Sequence, residues 1–310
     1  MKKKTKKISK ILCASILVSF LIYTVDWQEV FLYVRGVKPF FLSLFVLFYF
    51  FGILISAYKW QVLGKIMQFH RPYYFYFKTY LLGTFFNNFF PSFVGGDAYR
   101  TVALGKGEKR MKESSATVIV DRITGFIAII CLASVLGFLH YPVLSQNVLI
   151  IIFLFIFFII FIGCVIGVIF FKGVFVQKII SFFPRFIRRY IDTFILFHSR
   201  DIVFQSFFIS VLFSLVGIAV ANYMMFIAVG VDINFMDYMS VIFLTNLIAS
   251  LPISIGNIGT KEFAYIFLFG FFGVSSSALI VIVVLSRVLQ MMVSFVVFPM
   301  YLNEKHHMIQ

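Results

Sequence analysis

Two stretches of this sequence concentrate groups able to hold an anion. The first runs Asn87-Asn88-Phe89-Phe90-Pro91-Ser92-Phe93-Val94-Gly95-Gly96-Asp97-Ala98-Tyr99-Arg100. The second covers 246–262, with Asn246, then Leu251-Pro252-Ile253-Ser254-Ile255-Gly256-Asn257-Ile258-Gly259-Thr260-Lys261-Glu262. In each, a glycine follows the proline by four positions. In each, an arginine inside an apolar run follows about thirty residues later, Arg122 and then Arg287. A guanidinium presents a planar fork of donors that matches phosphate. Proline removes a backbone donor and paired glycines loosen the chain. In hydrocarbon, backbone groups freed this way survive only against protein or a water-filled cavity. Helix N-termini following Gly96 and Gly259 could add backbone donors toward an anion.

The partners of these groups decide between two readings. Insertion scales charge about 2.5 to 3.5 kcal/mol for Arg, Lys or Asp at the centre of a membrane helix. Arg287 lies well inside its apolar run, bordering a stripe of Ser286, Gln290 and Ser294 at i, i+4 and i+8. Asp121 adjoins Arg122 and cannot face it on a helix. Each therefore needs another partner, with Asp97, Arg100, Lys261 and Glu262 as candidates. One reading is an anion site built on Arg122 and Arg287. The other is an internal ion-pair network that pins the broken segments to the bundle. Asn87, Asn88, Asn222, Asn246 and Asn257 can line a wet cavity or join helices by hydrogen bonds.

No catalytic set emerges. The sequence has no Walker lysine loop, no GxSxG and no DxD-type metal pair. His70, His140, His198, His306 and His307 fit no zinc-binding spacing, and Cys13, Cys131 and Cys164 sit singly in apolar runs. The expectation is no metal and no cofactor. An intramembrane acid–base role for Asp97, Asp121 or Glu262 has no specific support.

The elements that must position these groups are membrane helices. Of 310 residues, 62% are hydrophobic and 13% charged, which reads as an all-α polytopic membrane protein. The net charge of +15 lies beside apolar runs. There it sets topology and meets anionic headgroups, so nucleic acid is not an expected partner. Six lysines within residues 1–10 precede the apolar run 11–23, and no small-residue cleavage site follows. That reads as an uncleaved first span with a cytoplasmic N-terminus. Trp27, Val30, Phe31 and Val34 share helical spacing and predict a short interfacial helix. Spans are expected at 39–58, 115–139, 148–171, 202–229 and 278–302. Lys59, Lys65 and Arg71 read as the cytoplasmic end of the second span, with Trp60 as an interface anchor. A basic amphipathic helix is expected within 172–200. The tail reads as cytoplasmic.

Segment 73–99 is flanked on both sides by basic residues and is too short to cross twice, since one crossing takes about 20 residues. It reads as a re-entrant hairpin turning at 91–96, with Lys78 snorkelling or facing water. The second half of 238–273 is too short to cross alone, so it reads as a second hairpin from the opposite face. The tally is about six full spans and two opposed hairpins, eight hydrophobic segments in all. Such an arrangement is an inverted repeat, which in transporters places the substrate site between discontinuous helices.

Asn88-x-x-Pro91-Ser92-x-x-Gly95-Gly96-Asp97-x-x-Arg100, Asp121-Arg122 and Leu251-Pro252-Ile253-Ser254-Ile255-Gly256-x-x-Gly259-x-x-Glu262 resemble the lysylphosphatidylglycerol synthase transmembrane, flippase-like family. Tyr58-Lys59-Trp60-Gln61 resembles its Arg-Trp motif with lysine in place of arginine, and Asn257 stands where the family often has glycine. The resemblance covers nearly the whole chain. It implies a protein of the cytoplasmic membrane that moves an aminoacylated or other anionic-head phospholipid, while a separate soluble domain performs synthesis. The sequence ends at Gln310 without room for that domain, so the expectation is a lipid translocase or lipid-binding partner of a separate lipid-modifying enzyme. Two other classes stay open: an enzyme or subunit of lipid modification or polyprenyl-phosphate glycosyl transfer, and a structural or regulatory membrane protein. The expected substrate-contacting set is Arg122, Arg287, Asp121, Asp97, Arg100, Asn88, Gly95, Gly96, Asn246, Gly256, Glu262 and Gln290.

Overall fold

The computed structural model describes residues 25–89, 94–170, 200–251, 254 and 257–297. The expected first span at 11–23, the basic helix within 172–200 and the tail lie outside them. Among the described residues every regular element is helical. The helices are α1 (Trp27–Arg35), α2 (Pro39–Ile66), α3 (Tyr73–Phe89), α4 (Val94–Gly105), α5 (Met111–Leu139), the single turn α6 (Tyr141–Leu144) and α7 (Val148–Phe170). Then come α8 (Arg200–Phe213), a π-helical stretch (Ser214–Val220), α9 (Ala221–Val229), α10 (Phe235–Ala249), α11 (Thr260–Gly270) and α12 (Ser276–Phe295).

Four helices are long and apolar enough to cross a membrane: Pro39–Ile66, Met111–Leu139, Phe204–Val229 and Ser276–Phe295. Within α7 the apolar stretch Val148–Gly163 is shorter. Two helix–break–helix pairs, α3/α4 and α10/α11, interrupt this series. At about 1.5 Å per residue their halves are roughly 26, 18, 22 and 16 Å long, each short of a hydrocarbon core of about 30 Å. The first pair runs past the expected boundary at 99, to Gly105, and the chain is helical again from Val94. The expected turn at 91–96 therefore closes earlier, and Gly95 and Gly96 belong to the first turn of α4. The second pair begins at Phe235 rather than 238.

Small residues let these helices approach closely, as membrane packing favours. The backbones of α3 and α4 meet at Gly83 and Gly96, where a methyl on Gly96 would run into the Gly83 carbonyl. On α2, a Cβ at Gly52 would lie 2.8 Å from the Cα of Gly217 in the π-helical stretch. Tyr238 of α10 donates its hydroxyl to the Ala219 carbonyl of that stretch at 2.7 Å, so the widened turn gains a partner from a neighbouring helix. The main core gathers around Phe226, Tyr238, Phe243, Tyr265 and Phe269, all buried. Asn222 joins α9 to α11 by accepting the Tyr265 hydroxyl at 3.1 Å.

Two expectations on α2 are corrected. The helix does not end at Tyr58 but continues to Ile66. Trp60 is no interface anchor: it is fully buried and donates its indole N–H to Thr117 Oγ1 at 3.0 Å. Lys59 is buried too. Trp60, Leu63 and Met67 carry the apolar spacing i, i+3, i+7 onward, and that face packs inward. The expected helix after Asp26 is present as α1. Asp26 caps it by accepting from the Gln28 and Glu29 backbone N–H groups.

Candidate functional site

The charged side chains of α2, α4 and α5 form one alternating network. At its buried end, the Asp121 carboxylate takes Lys59 Nζ at 2.9 Å and Arg100 Nη2 at 2.8 Å. Lys59 also donates to the Asp121 carbonyl at 2.8 Å and to Ser210 Oγ at 3.0 Å. The Arg100 guanidinium lies between the rings of Trp60 and Tyr80, 4.3 Å from each centroid. Stacking of this kind suits a delocalised cation better than an ammonium. Ion pairs this deep hold only when both partners are present and oriented.

The open end of the network is Arg122. Its Nε and Nη2 donate to Asp97 Oδ2 and Oδ1 at 2.9 and 3.0 Å, a two-point fork. The Arg122 side chain is 45% exposed, against 3% for Arg100 and Asp121. Asp97 also lies 3.6 Å from Arg100, so it stands between two cations. Its place in the first turn of α4 favours a negative charge there. That turn is oriented by Asn87, whose Oδ1 accepts the Gly96 backbone N–H at 2.9 Å.

A second, smaller cluster sits on α11 and α12. Arg287 Nη2 donates to Glu262 Oε1 at 3.0 Å and reaches the Asn257 carbonyl at 3.4 Å. The other carboxylate oxygen of Glu262 accepts the Gly259 backbone N–H at 2.7 Å and so closes the start of α11. Gly259 has φ +84° and Asn257 φ +56°. Asparagine is among the few non-glycine residues at ease in the left-handed region, which suits it to this position. Lys261 Nζ lies 3.4 Å from Ser286 Oγ.

The stripe on α12 connects the two broken pairs. Ser286 meets Lys261 of α11, and Ser294 accepts from Asn88 of α3 at 3.2 Å. Gln290 lies between them on the same face, half-buried. Both arginine–carboxylate pairs join residues 25 apart in sequence, Asp97 with Arg122 and Glu262 with Arg287.

Of the candidate set, Asp97, Arg100, Asp121 and Arg122 come together, as do Glu262 and Arg287. The described ion pairs of the first group join α2, α4 and α5, and that of the second joins α11 and α12. Gly95 and Gly96 shape the start of α4 rather than preceding a helix N-terminus. Asn246 turns back on its own helix, donating to the Ile242 carbonyl at 2.8 Å. Gly256 lies outside the described residues. Lys59, Trp60, Tyr80 and Ser210 belong to the first cluster without having been singled out as site residues. A further pair, His140 Nε2 with Asp237 Oδ1 at 2.7 Å, ties the end of α5 to the first turn of α10.

A family model described as the lysylphosphatidylglycerol synthase TM region matches residues 8–297. The chain belongs to that family. Among curated proteins nothing matches it. Membership in the lysylphosphatidylglycerol synthase TM region family, with four helices apt to cross a bilayer, makes this a membrane protein linked to lipid.

Proposed function

We propose that this protein binds a phospholipid by its phosphate group and carries the head across the cytoplasmic membrane. The observation that carries this reading is the asymmetry of the first network. Its inner half, Lys59, Asp121 and Arg100, is buried and fixed by two-sided contacts. Its outer half presents a forked guanidinium, Arg122, held by a single carboxylate and nearly half exposed. A phosphate can replace that carboxylate with the same two parallel bonds. The inner half then serves as the pin that a structural reading would assign to the whole network.

The two broken pairs are read as re-entrant hairpins entering from opposite faces, with both termini cytoplasmic. The equal 25-residue separation of the two arginine–carboxylate pairs supports an inverted repeat, the arrangement in which transporters bind cargo between discontinuous helices. Acyl tails would stay in the bilayer while the head passes Arg122 and Arg287.

The test is native mass spectrometry of lipids retained by the purified protein, comparing wild type with Arg122→Ala and Arg287→Ala. Selective retention of a phospholipid class, diminished in the variants, is the expected result. Equal, non-selective retention by all three folded proteins refutes the reading.

A further inference from the structure

The charges of the first network do not balance. Among the described residues, the ion pairs of Lys59, Arg100 and Arg122 are with Asp97 and Asp121, which leaves one positive charge among groups mostly withdrawn from solvent. Leaving a charge unmatched at depth is costly, and one added monoanion would match it. The geometry also provides a way to admit that monoanion. When an incoming group takes the Arg122 fork, Asp97 must find another cation. Arg100 Nη1 is already 3.6 Å away. Arg100 can take Asp97 through Nη1 without abandoning Asp121, which Nη2 holds. Lys59 meanwhile holds Asp121 from the other side.

Resting on the reading above, we propose that Arg100 is the reserve partner of Asp97, and that this exchange selects a net monoanionic phosphodiester head. An aminoacyl ester adds at least one ammonium, which makes such a head neutral or cationic. It would leave the surplus positive charge in place or increase it. The occupant favoured by this chain is therefore a plain phosphodiester lipid rather than its aminoacylated product. Arg100 acts as a positioning residue that determines specificity; it does not itself need to touch the lipid.

The experiment offers the purified full chain equimolar phosphatidylglycerol, lysyl-phosphatidylglycerol and phosphatidylethanolamine in mixed micelles, and measures retained lipid by mass spectrometry. Wild type is expected to prefer phosphatidylglycerol over the lysyl form by roughly tenfold or more, the scale of one modest charge interaction. Arg100→Gln brings the network to neutrality and strips Asp97 of its reserve, so the preference should fall below about threefold on the same scale. Arg100→Lys, which keeps the charge but loses the stacking and the separate nitrogens, should restore only part of it. Excess soluble glycerol phosphate should leave retention intact; displacement of the lipid by it overturns the lipid assignment. Equal or stronger retention of the lysyl form by wild type overturns the selectivity while leaving phospholipid binding standing. An unchanged preference in folded Arg100→Gln overturns the reserve role. Retention of no phospholipid class by folded wild type removes the binding reading itself.

Discussion

Asp121→Asn should be the most damaging single change in the first network that preserves side-chain shape. It removes the carboxylate that Lys59 and Arg100 share at 2.9 and 2.8 Å, leaving two buried cations short of a partner. Breaking a buried pair from one side costs about 3 to 5 kcal/mol. The lower end applies here. Lys59 keeps the Asp121 carbonyl and Ser210 Oγ as acceptors, and Arg100 keeps Asp97 within reach and its two aromatic faces. The expected loss is therefore about 3 kcal/mol. Lys59→Met should cost less, about 1 to 2 kcal/mol, because Asp121 retains its charge-assisted bond to Arg100. Combining the two removes one charge of each sign, so the double variant should lose less than the sum of the singles, by at least about 1 kcal/mol. Reversible unfolding by a denaturing detergent in mixed micelles measures all three. A loss below about 1 kcal/mol for Asp121→Asn, or strict additivity in the double variant, refutes the claim that these charges act as one buried unit.

Gly96→Val should weaken the α3–α4 crossing by about 1 to 3 kcal/mol, the usual cost of overpacking, in the same unfolding assay, since its side chain would push against the Gly83 carbonyl. Asn257→Gly should be close to neutral, whereas Asn257→Val should lose about 1 to 2 kcal/mol, because a β-branched residue resists the positive φ found there. The two tryptophans should separate by fluorescence. Trp27→Phe leaves only buried Trp60, whose emission should be blue-shifted and poorly quenched, while Trp60→Phe leaves Trp27, 55% exposed and readily quenched.

The hydrophobic runs and the punctuation between them made much of this architecture legible. Proline removes a backbone donor and glycine loosens the chain, so the stretches 91–96 and 252–259 read as breaks in the sequence, and the helices do end at Phe89 and Ala249 and resume at Val94 and Thr260. Arg122 and Arg287 are legible because a cation in an apolar run demands a partner, and the nearby opposite charges include the ones Asp121 and Arg122 take, Arg100 and Asp97. The place of Lys59 is hidden in the sequence for a physical reason. A lysine near the end of an apolar run carries the same local signal whether it points to headgroups or into the bundle. Only the carboxylate of Asp121, 62 residues away, distinguishes the two. Trp60 followed it, since an amphipathic ring suits either an interface or a core with a hydroxyl such as Thr117 at hand. The His140–Asp237 pair was equally hidden, because its members belong to loops and helix ends 97 residues apart.

The matched spacing of the two arginine–carboxylate pairs bears on how this chain can change length over evolutionary time. Between Asp97 and Arg122, and again between Glu262 and Arg287, the polypeptide leaves one helix, turns and returns along the next to close a pair. An inserted residue within a helix there would rotate every later side chain by about 100 degrees, given 3.6 residues per turn, and carry the arginine off its carboxylate. Loops such as 230–234 are crossed by neutral contacts, here the Tyr238 hydroxyl on the Ala219 carbonyl, with no arginine–carboxylate pair spanning them among the described contacts, and are freer to lengthen. Relatives should accordingly vary in length at those loops while keeping 97–122 and 262–287 nearly constant, which makes those two intervals fixed rulers within an otherwise adjustable chain.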